Sequence, residues 1–177
     1  PPQLYPTLIL RRWSAGSWTP LVTGVPGQVF CLMPSSNGFV VGGSFASIGA
    51  GPNIARWTGP AWQSFGSGTG AWVNCIAEMP NGDLYAGGVF GAAGGVSADR
   101  IAKWNGAAWS ALGSGLTYEV HAVAGLPNGD LVVGGSFTFA GTGPANRLAR
   151  WNGAMWSPLG AGVNNTVRTI VALPNGD

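Results

Sequence analysis

The stretch Val120-His121-Ala122-Val123-Ala124, then Leu126-Pro127-Asn128-Gly129-Asp130, then Leu131-Val132-Val133-Gly134-Gly135-Ser136-Phe137 reads as two strands about a tight turn. Both flanks are apolar and partly β-branched, and Asn-Gly supplies the positive backbone dihedrals of a two-residue hairpin loop. A Gly-rich loop from Thr138 to Asn146 follows. Arg147-Leu148-Ala149-Arg150-Trp151, a second turn at Asn152-Gly153, and Met155-Trp156-Ser157-Pro158-Leu159 complete four short strands with no helix-period segment.

The unit recurs. Trp57, Trp104 and Trp151 stand 47 residues apart, as do Trp62, Trp109 and Trp156. The Gly pairs at 42–43, 87–88 and 134–135 keep nearly the same beat, and so do the Asn-Gly turns at 81, 128 and 175. An incomplete earlier copy shows in Arg12, Trp13 and Trp18. A four-stranded antiparallel unit repeated at this period predicts an all-β fold, a β-propeller of four-stranded blades. The expected organisation is one domain over 1–177: a half blade at 8–25, blades at 28–66, 72–113 and 119–160, and the first strand of another at 167–177. Paired glycines would let blades approach closely, the Trp pair would fill the wedge between them, and Pro20 and Pro158 suit an outermost strand. Arg56, Lys103 and Arg150 precede the first Trp of each copy and should bridge to backbone or to the next blade.

The strings Gly-Gly-Ser-Phe and Ile/Leu-Ala-Arg/Lys-Trp, followed by Trp-Ser-x-Leu-Gly, resemble tandem repeats of long secreted or surface-anchored bacterial proteins. Their blades are similar to kelch and galactose-oxidase-type propellers. The resemblance covers essentially the whole chain and implies architecture and a secreted or cell-surface location. It implies no catalytic residues, because His121 is the single histidine and the copper ligands of galactose oxidase have no match.

Composition narrows the rest. The 177 residues carry nine Trp, seven Phe and 31 Gly with 8% charged residues and a net charge of +2. Scattered rather than clustered basic residues argue against nucleic acid as partner. No apolar run reaches the length that spans a bilayer, so no membrane insertion is expected. The chain begins and ends inside repeats and reads as a fragment or processed piece. Cys31 and Cys75 occupy matching places in successive copies, usually too far apart for a disulfide, and read as free buried thiols, with a disulfide as the lesser alternative. The blade count suggests homo-oligomeric closure, two chains exchanging ends to make an eight-bladed ring. The alternative is a narrow four-bladed ring.

Candidate functional residues are those that depart from the repeat. The second position of the first strand reads Phe30, Asn74, His121, Arg168, and its start reads Trp72, Glu119, Thr166; Glu78 has Gly125 and Ala172 as counterparts. The leading expectation is an extracellular binding or scaffold module for a glycan or protein, with Trp72, Asn74 and Arg168 facing the ligand and no cofactor. Loops 91–99 and 139–145 could also carry recognition. The alternative is a calcium-dependent hydrolase, similar by fold to lactonase-type propellers. It would use Glu78, Asn74 and Glu119 as metal ligands and His121 with Glu119 for proton transfer. It requires those residues to converge.

Overall fold

The computed structural model describes residues 8–36, 38–49 and 51–173. The Asn175-Gly176 turn and Asp177 lie outside the described residues. A hairpin of β1 (Leu8–Ser14) and β2 (Ser17–Val25) precedes three four-stranded antiparallel sheets. The first sheet holds β3 (Gly27–Ser35), β4 (Gly38–Phe45), β5 (Ile54–Trp57) and β6 (Trp62–Ser64). The second holds β7 (Val73–Glu78) and β8 (Leu84–Gly88); after a small hairpin of β9 (Ala92–Ala93) and β10 (Val96–Ser97) it continues with β11 (Ile101–Trp104) and β12 (Trp109–Ala111). The third repeats this with β13 (Val120–Gly125), β14 (Leu131–Gly135), the small hairpin β15 (Phe139–Ala140) and β16 (Gly143–Pro144), then β17 (Leu148–Trp151) and β18 (Trp156–Pro158). Each sheet is ordered first, second, third, fourth strand, and no helix occurs among the described residues.

First strands meet first strands, β3 against β7 and β7 against β13, so they form the inner edge on which the sheets converge. The core is accordingly a series of layers between sheets. Val40, Ile54, Phe65, Val73 and Leu84 fill the layer between the first and second, and Tyr85, Ile101, Val120, Leu131 and Val133 that between the second and third. Pro158 lies in β18 at the outer edge, where a missing N–H breaks no ladder.

The two glycines of each pair do different work. A Cβ on Gly87 would lie 2.5 Å from Val120 Cγ1 of the next sheet, and one on Gly42 2.6 Å from Val73 Cγ1. The first glycine therefore sets how closely successive sheets approach, as expected. The second faces its own sheet: a Cβ on Gly88 would lie 2.0 Å from the Trp72 carbonyl oxygen. The cause is a β-bulge. Val73 pairs with Gly88 but Cys75 with Gly87, which leaves Asn74 as the extra residue. The same shift makes Phe30 the extra residue of β3 and His121 that of β13.

Each cross-strand Trp pair is tilted, with ring centroids 5.5 Å apart for Trp104–Trp109 and 5.2 Å for Trp151–Trp156. Sheets are also joined by one recurring polar contact. Trp109 Nε1 donates to the Phe65 carbonyl at 2.8 Å, and Trp156 Nε1 donates to the Leu112 carbonyl at 2.7 Å. The indole thus buries its ring between sheets and satisfies its one donor on the neighbouring sheet.

The loops expected at 91–99 and 139–145 prove to be the small hairpins. Gly94 and Gly141 lie under Trp109 and Trp156, so these segments cover the outer tryptophans. Residues 167–173 form no strand ladder among the described residues. Val167 nonetheless donates its N–H to the Gly135 carbonyl at 3.1 Å, and it faces Gly134 as Val120 faces Gly87.

Both cysteines are free. Burial pushes the Cys31 thiol up from 9.0 to about 12 and raises Cys75, which is more deeply buried, well above its ordinary value. Below pH 9 both folded and unfolded chains keep the thiols protonated. Above it only the unfolded chain ionises, so stability should fall as pH rises from about 9 through about 12. Urea midpoints measured across that range, with Cys31→Ala as the flatter control, check this.

Candidate functional site

The bulge that requires Gly-Gly also creates the candidate site. An extra residue in one strand re-aims its side chain and interrupts the ladder. Here it does so at the same place in every inner strand, and the residues placed there differ chemically: Phe30, Asn74, His121. Two residues earlier stand Gln28, Trp72 and Glu119, at the same end of the inner strands. Structural residues repeat, whereas the residues at this rim do not.

Around the rim, neighbours touch. Phe30 and Trp72 make an edge contact with ring centroids 6.0 Å apart. Asn74 Nδ2 donates to the Val120 carbonyl of the next inner strand at 3.0 Å. His121 Nε2 lies 3.4 Å from Glu119 Oε2 and 3.3 Å from Ser136 Oγ, and Ser136 Oγ is 3.3 Å from Thr166 Oγ1. Arg168 is exposed on the segment that continues the series. Trp72 is 51% exposed and borders a cleft of about 530 Å³ that Gln28, Ser44, Phe45 and Asn53 also line. Asn53 itself is committed to structure, accepting from the Phe45 N–H at 3.3 Å and donating to the Thr69 carbonyl at 2.9 Å.

Glu78 is not among them. It ends β7 at the hairpin turn, four residues from Asn74 or about 13 Å along the strand. Its carboxylate bonds Arg56 of the first sheet at 3.1 Å. The reason lies in a neighbouring copy. Lys103 pairs with Asp83 at 3.3 Å and Arg150 with Asp130, each within its own sheet. In the first sheet Gly38 stands where those aspartates stand, so Arg56 reaches across to Glu78 and lies over the Phe65 ring. Lys103 and Arg150 therefore do not bridge to the next sheet as the sequence suggested, whereas Arg56 does. Asn74, Glu78 and Glu119 do not converge, and among the described residues no three His, Cys, Asp or Glu side chains cluster as a metal site.

Ser136 was not among the residues singled out in the sequence. Ser44 and Ser136 share the Gly-Gly-Ser-Phe string while Val89 replaces them in the second copy, and that difference was the available signal. Ser136 and Glu119 both meet Nε2 of His121. A serine–histidine–carboxylate relay needs one partner on each ring nitrogen, so the trio is a hydrogen-bonded cluster rather than an activated nucleophile.

Antiparallel four-stranded sheets converging on their first strands, with no helix among the described residues, define the chain as a protein of β-propeller type. A family profile described as a beta-propeller domain of unknown function, DUF5122, matches residues 126–153, which run from the Pro127-Asn128-Gly129 turn to Gly153. No curated protein matches the chain.

Proposed function

We propose that this protein is a secreted or cell-surface binding module whose inner-strand rim recognises carbohydrate. The observation that carries the reading is the exposed Trp72 indole on a cleft of about 530 Å³, at the end of the molecule where the repeats diverge in chemistry. That volume suits a small ligand. An indole face stacks on the C–H face of a sugar ring, and Gln28 and Ser44 add hydrogen-bonding groups beside it. The reading takes the sheets as kelch-type blades of a closed ring on a 47-residue repeat, and it includes no cofactor. The calcium-dependent hydrolase has less support, because Glu78 is held by Arg56 far from His121.

A glycan array with the wild-type chain and Trp72→Ala tests the reading. Trp72 is exposed, so the variant should keep the wild-type circular dichroism while binding falls at least about tenfold. Undiminished binding by a folded Trp72→Ala would remove Trp72 from the site, and no glycan bound by either chain would remove the carbohydrate.

A further inference from the structure

The first sheet departs from the other two where its β3–β4 turn meets β5 and β6. Arg56, Lys103 and Arg150 hold the same register, opposite Val40, Tyr85 and Val132. Two residues before those partners stand Gly38, Asp83 and Asp130. Arg150 gives both Nε and Nη2 to Asp130. In Arg56, Nη2 goes to Glu78 and Nε is buried with no hydrogen-bond partner among the described residues. Position 38 cannot carry the missing carboxylate itself. Its φ is +144°, and a Cβ there would run into the Trp57 carbonyl oxygen.

The remaining departures gather around the same guanidinium. Gln63 faces Arg56 across the β5–β6 ladder, where Ser110 and Ser157 face Lys103 and Arg150. Thr58 follows Trp57 where asparagines follow Trp104 and Trp151, and Ser35 and Ser36 lie in a turn without the later Asn-Gly-Asp string. Ser35, Ser36, Arg56, Thr58 and Gln63 line a cleft of about 470 Å³. All of them are polar, one is cationic and none is acidic. Arg56 reaches Glu78 of the second sheet and lies 5.3 Å from the Phe65 ring centroid, so its guanidinium occupies the face turned toward that sheet. Gln63, its cross-strand partner, shares the face.

We propose that this cleft binds a small polyhydroxy monocarboxylate, a sugar acid in chemical class. Its carboxylate takes beside Arg56 the place that Asp83 and Asp130 hold beside Lys103 and Arg150. A guanidinium is the side chain best shaped to hold a carboxylate, and the surrounding hydroxyls and amide match the ligand's hydroxyls. The volume suits a small molecule. Glu78 already offsets part of the positive charge, which favours a single negative charge over the double charge of phosphate. The inference is independent of the carbohydrate reading, whose residues stand at the other end of the inner strands.

Nuclear magnetic resonance titration with sodium D-glucuronate at fixed ionic strength tests this. The Arg56 Nε–H and Gln63 side-chain amide signals should shift together and saturate, with a dissociation constant on the order of 1 mM for a ligand of this size. The Arg150 Nε–H, held by Asp130, should stay in place. D-Glucose lacks the carboxylate and should leave these signals unmoved, and inorganic phosphate should bind more weakly than glucuronate. Gln63→Glu sets a carboxylate of the chain's own opposite Arg56. It should weaken binding at least about tenfold with unchanged circular dichroism, because position 63 is exposed. Glu78→Gln releases Arg56 and should tighten binding about threefold. Trp72→Ala should titrate as the wild type does, which separates this site from the rim. Four results would overturn the proposal: no saturable shift in the wild-type chain, equal shifts with D-glucose, tighter binding of phosphate, or undiminished binding by folded Gln63→Glu.

Discussion

Gly88→Ala is expected to lower the free energy of unfolding by about 3 kcal/mol, near the upper end for adding one methyl to a close-packed site. The added carbon would lie 2.0 Å from the Trp72 carbonyl oxygen, and that oxygen belongs to backbone. Its peptide plane cannot turn aside freely, because the Val89 N–H donates to it at 3.0 Å. The variant must therefore straighten the bulge or separate β7 from β8, and either change loses ladder bonds at the centre of the molecule. Gly129→Ala is the comparison. Gly129 has a φ of +89° in a turn open to solvent, so its cost is left-handed strain alone, about 1 kcal/mol. Urea unfolding of both variants gives the ranking; equal costs would mean that the bulge is not where it is described.

Trp109→Ala should cost about 3 to 5 kcal/mol, the range for truncating a buried aromatic. Trp109 is 5% exposed, lies within 6.2 Å centroid distance of Phe65 and 5.5 Å of Trp104, and caps the Phe65 carbonyl. Trp109→Phe keeps most of the apolar contact but not the donor, and should cost about 1 to 2 kcal/mol. Trp72→Ala, at an exposed position, should stay within about 0.5 kcal/mol. For a chain of this size the alanine variant at 109 should melt about 10 °C lower, well apart from the Trp72 variant in one calorimetric series.

The parts of this fold legible in the sequence are those encoded within a single strand or turn. Asn128-Gly129 marks its hairpin, but the loop is longer than the two residues expected: it spans Leu126 to Asp130, and Gly129 takes a positive φ of +89° while Asn128 does not. Trp104 and Trp109 announce their pairing by recurring on either side of a turn. Asn74 and His121 stand out because that position of the repeat changes from copy to copy, Phe30, Asn74, His121, Arg168. What stayed hidden depends on register between strands. The bulge is a mismatch of one residue between β7 and β8, and nothing in either strand alone reveals it. Gly87 and Gly88 look equivalent in sequence, yet one faces the next sheet and the other its own backbone.

Glu78 shows a second kind of limit. Its chemistry suits a cation site, and its uniqueness among the repeats suggested function. Its role is settled by Gly38, on another sheet, which deprives Arg56 of the aspartate that Lys103 and Arg150 enjoy. Comparing the copies residue by residue would have exposed the missing aspartate, though not the direction in which Arg56 turns. The small hairpins β9–β10 and β15–β16 were invisible for a simpler reason: two-residue strands carry no periodicity.

The second and third sheets each seat on the preceding one through an indole buried between them and bonded to a turn carbonyl. Hydrogen exchange of the indole N–H groups, followed by nuclear magnetic resonance with each tryptophan assigned by substitution, tests it most directly. The account predicts that Trp109 and Trp156 exchange slowest, by orders of magnitude relative to exposed Trp72. Exchange of Trp109 and Trp156 as fast as that of Trp72 would contradict it.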